Sequence, residues 1–232
     1  MIKYLGIVIP VYNEENIIQK VLLEWNEYLI KKKIKYEFIV INDGSSDKTK
    51  NKLLEISKAL KNIKIIDKKN SGHGPSCIKG YNYCVESKKF DWILQIDSDY
   101  QCNPIFFSDF LIYSNEYDAI FGNRKIRYDG AFRTVCSYII MISILLMKFK
   151  FIRDPNVPYR LMKTSILKKS LEDFPLSFYL SNIFISYKII KICKIKWVDI
   201  MFRNRIFVSS ERNKIKMLFR FLQLLMDLMR YN

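Results

Sequence analysis

Leu5-Gly6-Ile7-Val8-Ile9-Pro10-Val11 is a near-continuous apolar run that turns polar at once in Tyr12-Asn13-Glu14-Glu15. An apolar run without alternation is the pattern of a parallel strand covered on both faces. Working outward, the same unit recurs. Asn13-Glu14-Glu15 opens a helix with Ile18, Val21, Leu22, Trp25 and Leu29 on one side. Residues 38–41 read as a second strand ending in Asn42-Asp43-Gly44-Ser45-Ser46-Asp47, where Asp47 is placed to cap a helix running to about residue 60. Residues 63–66 read as a third short strand, and Asn70-Ser71-Gly72-His73-Gly74-Pro75 leads into a helix ending near Glu86. Residues 92–96 read as a fourth strand, stopping at Asp97-Ser98-Asp99. Alternating strands and helices predict an α/β, Rossmann-like doubly wound sheet, mostly parallel and flanked by helices. Its ligand site lies outside the carboxyl ends of the strands. The polar clusters at 12–14, 42–47 and 97–101 each follow such an end, so the fold alone predicts that they share one crevice.

The chain has 232 residues, 50% hydrophobic and 27% charged, which is the composition of a folded protein. No linker or repeat divides it. The expected layout is one domain over 1–208 with an amphipathic helix over 209–232. The formal charge of +16 is uneven: residues 150–232 carry 17 basic and 6 acidic side chains. Such a basic face suits an anionic partner, whether lipid headgroup, phosphate or nucleic acid, although AT-rich coding sequence also enriches Lys. The five cysteines are odd in number and include no CxxC pair, which implies neither a zinc site nor a disulfide framework and points to a reducing compartment. The opening strand is too short, and too soon followed by charge, to read as a signal peptide.

Two segments bear on a membrane. Residues 135–147 are uncharged but too few to span a bilayer, and read as a buried core helix or an interfacial one. Near the end, Lys216, Arg220, Gln223, Asp227 and Arg230 recur at helical steps as one narrow polar stripe, with Leu218, Phe219, Phe221, Leu222, Leu225, Leu228 and Met229 around it. A helix with so wide an apolar arc lies in an anionic membrane interface or packs against another chain, giving a homo-oligomer.

Asp97-Ser98-Asp99-Tyr100-Gln101 is the strongest chemical signal. Two carboxylates one residue apart, with a carboxamide two further on, offer hard oxygen ligands from one turn. Mg2+ or Mn2+ binds in this way when substrate phosphates complete its octahedron. Alone, Asp-x-Asp is a common turn; at the end of a buried strand beside Asp43 it carries more weight.

At these residues the chain resembles a known family. Ile9-Pro10-Val11-Tyr12-Asn13-Glu14-Glu15, then Val40-Ile41-Asn42-Asp43-Gly44-Ser45-Ser46-Asp47, then Asp97-Ser98-Asp99, are similar to the three ordered signatures of family 2 glycosyltransferases with the GT-A fold. Asp99-Tyr100-Gln101 and Asp154-Pro155-Asn156-Val157-Pro158-Tyr159-Arg160 most resemble the polyprenol-phosphate sugar transferases of the dolichol-phosphate mannose synthase type. The resemblance runs from about residue 7 to 210.

It implies that Pro10, Tyr12 and Glu14 line a nucleotide pocket, that Asp43 accepts hydrogen bonds from base or ribose, and that Asp97, Asp99 and Gln101 hold the metal and through it the donor diphosphate. It implies an acceptor-phosphate seat of Arg124, Arg133, Ser137, Arg160 and Arg205, the last within Phe202-Arg203-Asn204-Arg205, with Ser210 in the place of a later serine. It also implies an enzyme, peripheral on the cytoplasmic face of a membrane, with a UDP- or GDP-sugar donor and polyprenyl phosphate or another lipid-linked acceptor; nucleic acid is not an expected partner. The chain departs from the pattern at Val208 (normally Gly), Glu211 (normally Lys) and Val157-Pro158 (normally Ser-Gly). These departures touch the acceptor side alone.

Chemical need leads the same way. A divalent ion stabilises charge on the leaving diphosphate oxygen. A hydroxyl acceptor needs a general base, whereas a phosphate acceptor is already anionic. The resemblance implies that a saccharide-directed relative would carry a Glu-Asp pair for this; Glu172-Asp173 is the only such pair, sits rather early, just before Phe174-Pro175, and reads as a solvated turn. His73, the single histidine, sits between two glycines at a helix start, where a diphosphate would bind; an incidental loop histidine fits equally. Two other readings stay open: transfer to a saccharide or lipid-linked glycan with Glu172 or Asp173 as base, and a non-catalytic nucleotide- or membrane-binding protein.

Overall fold

The opening apolar run forms β1 (Leu5–Val11), buried along its whole length, so helices must cover both faces of the sheet at this point. The computed structural model describes residues 2–125, 142, 152–172 and 181–204. Among these the chain continues as α1 (Ile18–Lys31), β2 (Tyr36–Asn42), α2 (Thr49–Ala59), β3 (Ile63–Asp67), α3 (His73–Ser87) and β4 (Trp92–Gln95). A 3-10 turn (Pro104–Phe106), α4 (Phe107–Tyr113), β5 (Ala119–Arg124), β6 (Arg160–Lys163), α5 (Thr164–Leu171), α6 (Ser181–Ile192) and β7 (Ile195–Ile200) follow. The described strands make one seven-stranded sheet in the order β3-β2-β1-β4-β6-β5-β7. β1 is parallel to β2 and β4, β2 to β3, and β5 to β7, while β6 is antiparallel to both β4 and β5. This is the expected α/β architecture, a mostly parallel sheet flanked by helices.

Local sequence explains the elements that position the crevice. In α1, Ile18, Val21, Leu22, Trp25 and Leu29 are buried, at the three- and four-residue steps of one helix face. Each such side chain contributes about 1.5–3 kcal/mol relative to exposure. Trp25 is 1% exposed, and its indole N–H donates to the Cys102 carbonyl at 3.2 Å, which fixes α1 to the segment beyond Gln101. α1 begins at Ile18, later than Asn13-Glu14-Glu15 predicted. Asn13 sits at φ 54°, outside the helical region, and the N–H groups of Asn13, Glu14 and Glu15 are tied to the side chains of Ser45, Thr49 and Asp47 in the neighbouring loop. Gly80 lets α3 lie close on β1, since a Cβ there would fall 2.4 Å from Val8 Cγ1.

β1 outruns β4. The two pair from Leu5↔Trp92 to Val8↔Gln95, after which Ile96 N–H donates to the Val8 carbonyl at 3.2 Å. Leu5 N–H points the other way, towards the Lys35 carbonyl next to β2, so alternation turns the Pro10 nitrogen towards β4. β4 has ended by then, and the missing N–H of a proline costs no ladder bond. The chain runs outward from β1 to β2 and β3, then crosses back to β4 on the other side of β1. That reversal leaves a crevice at the carboxyl ends of β1 and β4. Residues 209–232 and the 135–147 run fall outside the described residues, except helical, 49%-exposed Ile142.

Candidate active site

Asp97 and Asp99 stand just past β4, at the mouth of this crevice, and both are partly exposed. Asp97 Oδ1 lies 2.9 Å from His73 Nε2 and accepts from Gln95 Nε2 at 3.4 Å. Gln95 is fully buried and takes a bond from the Tyr81 hydroxyl at 3.2 Å, so Asp97 is oriented from the core. Burial works against the His73 cation, but its interactions with Cys77 and Asp97 outweigh it and hold the pKa well above the usual histidine value. His73, at the start of α3, thus lies beside Asp97. Asp99 Oδ1 accepts the Gln101 backbone N–H at 3.2 Å, closing the turn. The Gln101 amide nitrogen donates to the Arg203 carbonyl at 3.1 Å, which leaves Oε1 as the group able to coordinate a cation. This oxygen-rich set fits a hard divalent cation. Among the described residues no three or more His, Cys, Asp or Glu side chains form a complete metal cage. A magnesium-type ion needs none when one or two carboxylates hold it and phosphates and water fill the rest.

The other two signatures meet here too, but largely bind each other. Asn13, at φ 54°, accepts the Ser46 N–H at 2.8 Å, and Glu15 accepts the Lys48 N–H at 2.8 Å. Asp47, expected to cap α2, instead lies one residue before its N-cap, Lys48, which has no side-chain cap bond; Asp47 Oδ1 accepts the Thr49 N–H at 2.9 Å. Gly44 has φ +66°, and a Cβ there would meet the Asn70 backbone nitrogen at 2.7 Å, so this turn needs glycine twice over. Tyr12, 49% exposed, and Glu14 remain at the crevice.

Two donor-side expectations need correction. Pro10, expected to line the nucleotide pocket, is buried inside β1. Asp43, expected to meet base or ribose, is 3% exposed and faces protein: it accepts from Ser71 N–H at 2.9 Å, Gly72 N–H at 2.8 Å and the Lys68 ammonium. Lys68 also donates to the Lys69 carbonyl at 2.9 Å. The Asp43–Lys68 pair therefore shapes the 68–72 loop that delivers His73.

The expected phosphate seat changes more. Arg160 is fully buried on β6, and its guanidinium donates to the carbonyls of Val157 at 2.6 Å, Asn182 at 2.6 Å and Pro155 at 2.8 Å. Burial lowers its pKa to about 10. Arg160 is thus an internal brace, not an acceptor ligand. Arg124, at the end of β5, forks onto fully buried Asp154 at 2.7 and 2.8 Å. Arg133, Ser137, Arg205 and Asp173 lie outside the described residues. Glu172 is exposed where α5 ends, its carbonyl accepting from Lys188 Nζ at 3.3 Å.

The model of the family described as glycosyl transferase family 2 matches residues 6–173, which span all three signatures and the sheet through β6. This chain belongs to that family. As a family 2 glycosyltransferase it is 30% identical over 171 residues to an uncharacterised protein of Methanocaldococcus jannaschii, covering 69% of this chain and 72% of that one. It is 31% identical over 128 residues to a dolichyl-phosphate beta-glucosyltransferase of Trichomonas vaginalis, covering 53% of this chain and 37% of the relative. It is also 31% identical over 176 residues to an undecaprenyl-phosphate 4-deoxy-4-formamido-L-arabinose transferase of Photorhabdus laumondii, covering 74% and 52%. The chain thus spans only about a third to a half of these two longer relatives. Glucosyl-3-phosphoglycerate synthase from Mycobacterium tuberculosis, crystallised with Mn2+, UDP and glucosyl-3-phosphoglycerate, superposes with a TM-score of 0.71 at 15% identity, over 96% of this chain and 77% of that one. That likeness establishes the GT-A fold.

Sequence reasoning missed Lys68, Glu24 and Arg203. Arg203 forks onto Glu24 of α1, and its guanidinium lies 4.4 Å from the Tyr100 ring centroid. No spacing signals contacts between residues 179 positions apart.

Proposed function

We propose that this glycosyltransferase moves a sugar, with inversion, from a UDP- or GDP-sugar to a polyprenyl phosphate at the cytoplasmic face of a membrane. The observation that carries the proposal is the pair Asp97 and Asp99, partly exposed just past β4 where the strand order reverses. Mg2+ or Mn2+ held there, with Gln101 Oε1, would offset charge on the departing diphosphate. The Mn2+ and UDP in the structurally similar synthase support this reading. Tyr12, Glu14 and His73 border the nucleotide, and Asp43 acts on it through the 68–72 loop.

The names of the two polyprenyl-phosphate relatives support the acceptor, as does the basic charge of residues 150–232. A phosphate brings its own nucleophilic oxygen, so exposed Glu172 has no proton to take. Arg124, Arg133, Ser137 and Arg205 remain the proposed acceptor side, with Arg160 bracing it from within. Residues 1–208 would form the catalytic unit, and 209–232 would rest on an anionic membrane surface or on a second copy. Among the described residues no helix is long and apolar enough to cross a membrane.

Radiolabelled UDP- and GDP-sugars, Mn2+, and either polyprenyl phosphate or oligosaccharide acceptors test the proposal directly. The expected product is a polyprenyl-phosphate sugar. A product formed on a hydroxyl acceptor alone, and lost in Glu172→Gln, would instead establish saccharide transfer.

A further inference from the structure

Lys20, Glu24, Tyr100 and Arg203 meet beside the 97–101 turn, drawn from three separate stretches of chain. Lys20 and Glu24 stand one turn apart on α1, Tyr100 lies within the turn itself, and Arg203 follows β7. Arg203 Nη1 donates to Glu24 Oε2 at 2.7 Å and Nη2 to Oε1 at 2.6 Å. Arg203 Cζ and Lys20 Nζ each lie 4.4 Å from the Tyr100 ring centroid. Two further bonds tie the same segments. Arg203 N–H donates to the Gln101 carbonyl at 3.2 Å, and Gln101 Nε2 donates back to the Arg203 carbonyl at 3.1 Å. Tyr100 has φ 69°, a backbone region uncommon for an aromatic residue and kept only where its surroundings hold it.

We propose that the Glu24–Arg203 pair, closed over Tyr100, is a clamp that docks the segment following β7 onto the metal-binding turn. Residues 201–204 are thereby held at a fixed position relative to Asp97 and Asp99. Glu24 and Arg203 are positioning residues that need touch no substrate. A guanidinium forked onto a carboxylate has one planar geometry, so it sets direction as well as proximity. With side chains 26% and 29% exposed, the pair contributes little to global stability, and its effect is local docking. The kinetic consequence rests on the proposed transferase activity; the docking itself does not.

The test uses Glu24→Gln, Arg203→Met and the double variant in the full chain. Amide hydrogen exchange at Arg203 should quicken roughly tenfold in each single variant and no further in the double, because both remove one interaction. Arg203→Lys should behave like Arg203→Met, since an ammonium cannot fork. The melting temperature should move by no more than about 2–4 °C. Transfer kcat should fall by roughly tenfold in each variant, while KM for the nucleotide-sugar changes by less than about twofold, as expected when an interaction made outside the donor is lost. Unchanged exchange at Arg203 in Glu24→Gln would overturn the clamp. So would full activity in Glu24→Gln beside an inactive Arg203→Met, since Arg203 would then act on substrate itself. If the unaltered enzyme transfers sugar to no acceptor, the proposed function fails while the exchange result still decides the clamp.

Discussion

The two halves of the sheet use charge differently. Around β1–β4, charged and polar groups gather at strand ends: Asp97 and Asp99 are partly exposed, and the 12–15 and 42–49 loops are stitched to each other across the crevice. Around β5–β7 two motif charges turn inward, with Arg160 caged by three carbonyls and Asp154 fully buried under the Arg124 fork. Asp97 and Asp99 in the first half are therefore on offer to a ligand, whereas Arg160 and Asp154 in the second half are committed to the fold. Similar sequence signatures carry opposite structural meanings, and burial separates them.

The largest expected effect would sharpen that contrast. Asp99→Asn should lower transfer by at least ~100-fold, as loss of transition-state charge stabilisation does, while the unfolding midpoint stays near that of the unaltered protein. An active Asp99→Asn would remove the first half's chemistry from this turn. Next comes Arg160→Met, which takes a donor from three buried carbonyls, although those of Pro155 and Asn182 keep the Ser186 hydroxyl. At ~1–3 kcal/mol for an unsatisfied group, chiefly the Val157 carbonyl, the destabilisation in urea should be about 1–3 kcal/mol. Unchanged stability with a raised acceptor KM would make Arg160 a phosphate ligand after all and break the comparison.

A smaller effect is expected for Asp43→Asn, which weakens the anchor of the 68–72 loop while keeping its shape. Stability should drop by ~1–2 kcal/mol, with faster hydrogen exchange at Ser71 and Gly72 and weaker nucleotide binding. Faster exchange elsewhere but not in that loop would contradict the anchoring role. The smallest is Glu172→Gln: stability should hold within about 0.5 kcal/mol, as for exposed positions generally, and transfer should persist.

How far these features could be read in advance follows from where their partners lie. β1 to β4 were legible because apolar runs ending in Asn, Asp and Ser clusters mark parallel strands, and the α1 stripe matched residue for residue. That Asp47 bonds the start of α2 was legible because its partner, Thr49, is two residues away, although the N-cap itself is Lys48. β6 was not, since four residues gain their place only through register with β4 and β5, set far off in the chain. Arg160 misled for a related reason: its partners are backbone carbonyls, which carry no sequence signature. Asp43 was correctly placed at a strand end, yet its partners lie 25 to 29 positions on, in a loop whose path the sequence does not disclose.

The central claim is that Asp97 and Asp99 hold a divalent ion through which the donor diphosphate binds. Calorimetric titration of UDP and GDP into the unaltered protein and into Asp97→Asn/Asp99→Asn, each with Mn2+ and with EDTA, tests it most directly. The account predicts that one nucleotide binds the unaltered protein with Mn2+, that EDTA weakens this at least ~30-fold, a loss of roughly 2 kcal/mol, and that the double variant binds weakly and indifferently to metal. Equal affinity in Mn2+ and EDTA, or metal-dependent binding that survives in the double variant, would contradict it.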